Sequence, residues 1–566
     1  MLRKLVIVAI AAGALALPAH AQTSATTLLM PGVTYQRQVQ FTSRGPVVLD
    51  VVTAPKPDGS LYTLGPALAH NAALGTEPLT AIEKDASGAA TVVGVNGDFF
   101  PAGGPATGIV MRNGALDEAP ISSRSSLGIA PDGTLTVAEV AFDGTWRGTG
   151  QRRQLDLDDR PVAGHTTLYT SAWGPATPPE SAAVVADVIA SLPPLQPNNV
   201  ITGVVTEQDG TGGIPIPSGG AVLVARGAQA PHLSADAPPG TNVEIRPTLT
   251  PNWSNQLAAI GGGPLLVTGG KAVFRADEAF DDAVLNVRGA RSAVGQLPDG
   301  RILLVTVEGG GSDYSAGMTN YELANAMVQL GAVTAMGLGS GTPADMAFDG
   351  TLLTRPSTKA EPPIADALLL SYTGVYASPP SSDVISPNGD GIDDTETFSY
   401  KLVAPSPVTA TLTGPGGQQL VVAQDTEDPG IHTVTWNGQP SVEGQWKFVV
   451  TAGSTSAERD VLLDNTLASL QVTPPAGHLA AASRSVVTAA FQLSHPATVT
   501  ATIETRTGIV MATLAHKKLQ PGAQSLTWNG RLWTGGLAFT GAYQVHVVAV
   551  NSIGTVSLVA PFVARR

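Results

Sequence analysis

Residues 291–353 read RSAVGQLPDGRILLVTVEGGGSDYSAGMTNYELANAMVQLGAVTAMGLGSGTPADMAFDGTLL. Ile302–Val307 is an unbroken apolar run, the pattern of a strand buried on both faces. Glu308 ends it, and Gly309-Gly310-Gly311 follow. Thr319 then opens a helix over 320–330. With Glu322 three residues on, it forms a capping box, each side chain satisfying an orphan backbone N–H of the other residue. Leu323, Met327 and Leu330 recur at i, i+4 and i+7 and mark the core face. Gly331 ends the helix, 333–338 is the next strand, and Gly339-Ser340-Gly341-Thr342 is the next loop. In a right-handed strand–helix–strand unit, Glu308 and the Gly339 loop reach carboxyl ends of neighbouring parallel strands. Open α/β sheets bind ligands at that edge.

The same grammar extends over residues 22–374. Segments 47–53 and 91–95 read as strands, and 181–191 as a second helix. Asn96-Gly97-Asp98 follows the strand at 91–95, and Gly261-Gly262-Gly263-Pro264 follows the apolar run 257–260. Glycine-rich backbone there either presents N–H groups to a phosphate or makes tight turns. Turn dipeptides such as Asn113-Gly114, Asp299-Gly300 and Asp349-Gly350 mark hairpins between β-rich runs. The expectation is a mixed α+β/α-β N-terminal domain followed by two all-β Ig-like sandwiches.

The sandwiches announce themselves by repetition. Behind a Pro/Ser-rich linker at 375–385, Val408-Thr409-Ala410-Thr411-Leu412 recurs as Val499-Thr500-Ala501-Thr502-Ile503. Thr435-Trp436-Asn437-Gly438 recurs as Thr527-Trp528-Asn529-Gly530. The units are bounded at 386–465 and 466–566, each the size of a small β-sandwich. They resemble flagellar hook-capping-type Ig-like modules, and the Trp-Asn-Gly turn carries that resemblance. The first opens with closely spaced oxygens at Asn388, Asp390 and Asp393. These either hold a hard cation such as calcium or form an Asx-rich turn. No other cofactor is required by the sequence.

Arg3 and Lys4, the apolar run 5–17 and Ala19-His20-Ala21 form a secretory signal, with cleavage before Gln22. A secreted or cell-surface location follows, with no membrane span in the mature chain. There is no cysteine, which removes thiol catalysis and Cys-metal sites. The 31 Lys and Arg face 45 Asp and Glu, and no basic run occurs, so nucleic acid is not an expected partner.

Several motifs then occur in order: Asn-Gly-Asp-Phe-Phe from 96, Gly-Gly-Gly-Pro from 261, Arg-Ser-Ala-Val-Gly from 291, and Leu-Val-Thr-Val-Glu-Gly from 304. Gly-Met-Thr-x-x-Glu-Leu-Ala from 317 and Met-Ala-Phe-Asp-Gly from 346 complete the series. The series resembles the phosphodiester glycosidases, relatives of N-acetylglucosamine-1-phosphodiester α-N-acetylglucosaminidase. The likeness is strongest over 257–370, with a second anchor at 94–116. It implies release of sugar from a sugar-1-phosphodiester in cell-wall or exopolysaccharide material. Carried over by position, Asp98, Glu308 and Glu322 are the candidate catalytic groups, although the capping box explains Glu322 without chemistry. Asn96, Gly262, Gly263, Arg291, Ser340 and Gly341 are the candidate substrate-binding residues. A guanidinium at 291 suits a phosphodiester through paired hydrogen bonds.

One loop departs from the family. Its signature Leu-Asp-Gly-Gly-Gly-Ser, or Leu-Asp-Ser-Gly-Gly-Ser, stands here as Leu338-Gly339-Ser340-Gly341-Thr342-Pro343. Gly339 replaces an aspartate, and Pro343 removes an N–H donor. Asp345 lies six residues further on. Two functions are therefore compatible with the chain. One is an exported hydrolase; the other is a catalytically impaired glycan- or phosphoglycan-binding surface protein with Ig-like spacers.

Overall fold

The computed structural model describes residues 22–101, 104–159, 164–179, 184–273, 277–311, 313–473, 476–478 and 487–565. The signal at 1–21 lies outside the described residues. The chain forms two compact units, residues 1–373 and 374–566.

The first unit is not the expected α/β mixture. Four α-helices occur among the described residues of the whole chain, the longest being Asn320–Gln329. Nearly everything else regular is strand. The segment expected to be helical at 181–191 contains the strand Val184–Ile189, the residues before it lying outside the described set. Its β-branched run Val184-Val185 and Val188-Ile189 suits a barrel wall better than a helix.

The strand–helix–strand reading of residues 302–337 is right in its elements and wrong in its sheet. Ile302–Val307, Asn320–Gln329 and Thr334–Gly337 form as expected. The strand Arg291–Gln296, however, lies between the two strands and runs antiparallel to both. The cause is the Asp299-Gly300 turn. Leu297 donates to the carbonyl of Arg301 at 2.9 Å, Gly300 takes φ +87°, and a tight hairpin claims that edge of the strand. The helix thus crosses over one intervening strand of a wholly antiparallel sheet.

That sheet has eight strands. In order they are Gln22–Met30, Val33–Thr42, Gly45–Ala54, Ile302–Val307, Arg291–Gln296, Thr334–Gly337, Leu265–Thr268 and Lys271–Ala272. One face is apolar: Val47, Leu49, Val51, Ala293, Val305 and Val307 pack with Leu323 and Met327 of the helix. Each fully buried valine, leucine or methionine among them contributes roughly 2 kcal/mol. A second sheet carries Met346–Phe348, Thr91–Asn96, Asp366–Tyr372 and Tyr62–Leu68 in adjacent positions. A third sheet, also of five strands, a two-stranded pair of Glu77–Pro78 with Pro363–Ile364, and a closed seven-stranded barrel, Ala141–Arg147 to Asn242–Thr250, complete the unit.

The second unit holds two hydrophobic cores, each between a three-stranded and a five-stranded sheet. The Pro/Ser-rich segment at 375–385 lies on the first sandwich. Tyr376–Ala377 pairs with Tyr400 and Lys401, and Val384–Ile385 runs beside Leu462 and Leu463. The repeated Trp-Asn-Gly motif does the same job twice. The indole N–H of Trp436 donates to the carbonyl of Gln439 at 2.9 Å, and that of Trp528 to Arg531 at 2.8 Å. Asn437 and Asn529 accept the N–H two residues on. A buried indole thereby gains the partner it needs.

Candidate functional site

Register builds a polar row across the eight-stranded sheet. Arg37 lies opposite Asp50, Asp50 opposite Thr306, and Thr306 opposite Ser292. Directly opposed residues share one face, so four neighbouring strands align their polar side chains. Ser292 then donates to Asn96 Oδ1 at 2.5 Å, joining the row to the second sheet. Asp50, Thr306, Ser292 and Asn96 are all buried.

Glu308, two residues beyond Thr306, emerges on that same face. Arg37 Nη2 lies 3.1 Å from its Oε1 and 3.2 Å from its Oε2. The backbone N–H of Arg355 donates to Oε1 at 2.9 Å, and the Tyr314 hydroxyl donates to Oε2. Asp50 accepts from the Tyr35 hydroxyl at 2.6 Å, with Arg37 Nη1 at 3.5 Å. Its other oxygen has no partner. Burial pushes the Asp50 carboxyl above its usual range and the neighbouring Glu308 adds to this, while Tyr35 and Arg37 pull it down. Two carboxyls therefore share one guanidinium, and such a pair readily holds a proton. Burial and the Glu308 carboxylate push the Tyr314 hydroxyl up to about 12.

The cluster adjoins a cleft of about 380 Å³ lined by Gly309, Gly310, Tyr314, Arg355, Ser357 and Lys359. The Arg355 guanidinium lies 4.4 Å from the Tyr314 ring centroid. A buried carboxylate cluster thus stands beside an opening that carries two cations.

The other sequence candidates are placed differently. Asp98 is sealed: its N–H neighbour Phe99 donates to it at 2.7 Å, and Gly108 and Gly261 leave room for its second oxygen. Burial, then the nearby Asp366 carboxyl, hold Asp98 well above the usual range. It is an interior group whose charged form burial disfavours. Asn96 is a brace: its amide donates to the Gly339 carbonyl at 2.8 Å. Arg291 is buried with its guanidinium turned to the carbonyls of Ala290, Val284 and Val287. Its Nε has no partner, and burial lowers its pKa to about 10. Glu322 completes the capping box with Thr319 and pairs with Arg288. Burial opposes its ionisation, but the Thr319 N–H and Arg288 hold it below the usual range. Gly263 donates to the Gly337 carbonyl at 2.9 Å, and a Cβ on Gly262 would meet that carbonyl at 2.7 Å. These two glycines serve close strand packing. Ser340 and Gly341 are half-buried, with the Gly341 N–H donating to Ala290.

Gly339 has a steric explanation. A Cβ there would meet the Asp98 carbonyl at 2.8 Å, the Asn96 amide at 2.9 Å and the Gly97 carbonyl at 3.0 Å. No side chain fits without a shift. Asp345, by contrast, is buried and bonded to the Thr354 hydroxyl at 3.0 Å. Burial pushes it up to about 6, with Glu361 and Glu308 adding to the rise.

In the first sandwich, Asn388 and Asp390 accept backbone N–H groups from Asp390 and Ile392, and the other Asp390 oxygen accepts from Ser469. Among the described residues, no group of three or more His, Asp or Glu side chains is disposed to hold a metal. No helix there is long and apolar enough to cross a membrane.

The residues not anticipated are Tyr35, Arg37, Asp50, Tyr314 and Arg355. Asp50 had a signal, being the one charged residue in the apolar run 46–54. The others depend on register and loop closure.

Comparison with known proteins agrees with the motif reading. Residues 198–371 match the phosphodiester glycosidase family, and residues 479–552 match the FlgD Ig-like domain. A curated relative, the SPbeta prophage-derived uncharacterized protein YomE of Bacillus subtilis (strain 168), is 33% identical over 90 residues. That match spans 16% of this chain and only 14% of the relative. A hypothetical protein from Synechocystis of solved structure is 26% identical with a TM-score of 0.50. It covers 62% of this chain, and 68% of its own length is matched. A protein of Burkholderia pseudomallei K96243, 18% identical with a TM-score of 0.50, covers 62% of this chain and 97% of its own. This last likeness is one of fold. Over residues 198–371 the chain thus carries a phosphodiester glycosidase-type domain, and over 479–552 a FlgD Ig-like domain.

Proposed function

We propose that the protein releases sugar from a sugar-1-phosphodiester at the Glu308 cleft. The observation that carries this is the buried Glu308 carboxylate, held by Arg37 and Tyr314 and lying behind the Tyr314 wall of a cleft that also carries Arg355 and Lys359. The two cations suit the phosphodiester anion. Glu308 then faces the sugar, where a carboxylate supports the cation-like anomeric centre as the bond to phosphate breaks. A phosphate leaving group needs little protonation, so positioning and charge carry most of the catalysis. Water completes the hydrolysis by adding to the anomeric carbon, and its proton passes to solvent or to the carboxyl cluster. The purified protein is expected to hydrolyse an activated sugar-1-phosphodiester, and Glu308→Gln to abolish this. Equal rates for the two proteins would sink the assignment.

We further propose export, on the basis of Arg3, Lys4 and the apolar run 5–17, with cell-wall or exopolysaccharide material as the substrate source. Fractionation of expressing cells, with N-terminal sequencing for a start at Gln22, tests this.

A second reading is a non-catalytic phosphoglycan binder. It is favoured by Gly339, which has no space for the family's aspartate, and by Arg291, whose guanidinium is committed to carbonyls. Restoring an aspartate at 339 is a poor discriminator because it would drive the loop off Asn96. Saturable binding of a sugar-1-phosphodiester with no sugar released over many hours would decide for this reading.

A further inference from the structure

The second Ig-like sandwich carries an aromatic feature that the first lacks. Between its Trp528-Asn529-Gly530 turn and Gly541 the chain is five residues longer than between Gly438 and Gly444 of the first. The longer loop contains Trp533 and Phe539, which are 78% and 68% exposed. The shorter loop, Gln439-Pro440-Ser441-Val442-Glu443, has no aromatic residue.

The loop is held in place by its own hydrogen bonds. Leu532 donates to the Gly536 carbonyl at 2.8 Å, Gly535 to Leu532 at 2.8 Å and Ala538 to Gly530 at 2.8 Å. Trp533 donates its backbone N–H to Met511 at 2.9 Å, fixing the loop against the strand Val510–Leu519. The Arg531 guanidinium closes on the Gly535 carbonyl at 2.7 Å. An exposed indole on a pinned backbone is presented before any ligand arrives, so little ordering entropy remains to be lost on binding.

Beside it lies a cleft of about 500 Å³ lined by Thr513, Thr527, Asn529, Arg531, Leu532 and Trp533. Thr513, Thr527, Asn529 and Arg531 are exposed. The cleft therefore combines one broad aromatic face with several neutral hydrogen-bonding groups and carries no carboxylate. A pyranose ring has the matching chemistry. Its axial C–H face is apolar and weakly positive, complementing the negative face of an indole, and its rim of hydroxyls pairs with hydroxyl and amide groups. An anionic lipid surface is a worse match. The chain carries a formal net charge of −14, and the loop has one arginine rather than a basic cluster.

We propose that the Trp533 cleft is a carbohydrate-binding site for a hexopyranose unit of a polysaccharide, making the second sandwich a binding module rather than a spacer. The site is independent of the Glu308 cleft.

Calorimetric titration of the full chain in a Glu308→Gln background keeps hydrolysis out of the measurement. Cellohexaose, maltohexaose, laminarihexaose and chitohexaose are the probes. At least one is expected to bind, Trp533→Ala to weaken it about tenfold, the loss of one stacking contact, and Trp533→Phe to retain most of the affinity. The proposal is overturned if none of these sugars binds, or if Trp533→Ala binds as tightly as its parent. It is also overturned if Trp533 instead governs attachment to phosphatidylglycerol vesicles or self-association, with no saccharide bound.

Discussion

Asp50 and Glu308 on one side, and Asp98 and Asp366 on the other, are two buried carboxyl pairs of the first unit. Asp50 and Glu308 share Arg37, receive two tyrosine hydroxyls and adjoin a cleft with two further cations. Asp98 and Asp366 are bonded through a backbone N–H at 2.9 Å, and one oxygen of Asp366 has no partner. Glycines close over that pair. Burial raises Asp50, Asp98 and Asp366 alike, so burial alone does not distinguish a chemical site from a structural one. Compensating charge and a neighbouring cleft do.

The largest contrast is kinetic. Glu308→Gln should lower kcat/KM on an activated sugar-1-phosphodiester by roughly 10³-fold, the scale of a lost catalytic carboxylate. Asp98→Asn should leave the rate within about twofold, because burial already disfavours the charged form and the amide keeps the side chain's shape. A steady-state assay of both variants checks this, and comparable losses would erase the distinction.

Next in size is stability. Arg37→Ala strands two buried carboxyls and should cost about 3 kcal/mol in urea denaturation, the low end for a buried pair because Arg37 is partly exposed. Asp98→Asn should stay within about 1 kcal/mol of wild type.

A smaller effect depends on pH. Burial pushes Asp366 up to about 7, opposed by the Asp98 N–H. Its unfolded value is near the ordinary ~3.9. A raised folded pKa means stability is full below the unfolded value and is lost as pH climbs through the folded one. Stability of the first unit should therefore fall between about pH 4 and pH 7, by up to about 1.4 kcal/mol per unit for this group. Asp366→Asn should shallow that slope, as followed by denaturation at stepped pH. An unchanged slope would show that Asp366 titrates normally.

The smallest effect concerns the Asn388–Asp390–Asp393 loop. Two of those side chains already accept backbone N–H groups, so millimolar calcium should move the melting temperature by less than about 1 °C, the scale of a few tenths of a kcal/mol. A shift of several degrees that a chelator reverses would establish calcium there.

The two carboxyl pairs also show how far the amino-acid order carries. The capping box at Thr319 and Glu322, the Glu308 strand end and the Trp-Asn-Gly turns are local, and each formed as expected. The sheet did not, because pairing is decided by competition among distant strands: the Asp299-Gly300 hairpin placed Arg291–Gln296 between two strands expected to be neighbours. The same non-local register sets Arg37 and Asp50 beside Glu308. Their types are visible in the sequence, but their partnership is not. Asp98 and Arg291 show the converse. Their motifs fix where the backbone goes, and only the packed neighbours decide whether the side chain faces a cleft or the interior.

The strand Gly45–Ala54 pairs with Ile302–Val307, roughly 250 residues further along the chain. This separation has a kinetic meaning. Loop closure over such a distance comes late and slowly in folding. Until residue 307 has been made, the outer edge of the Val47-Val48-Leu49 strand has no partner beyond its local meander, and it stands open to self-association. A fragment ending at the barrel would keep that edge bare, and Asp50 would lack the Glu308 side of its site. The carboxyl cluster and the closed sheet edge should therefore appear together, as one of the last events of folding.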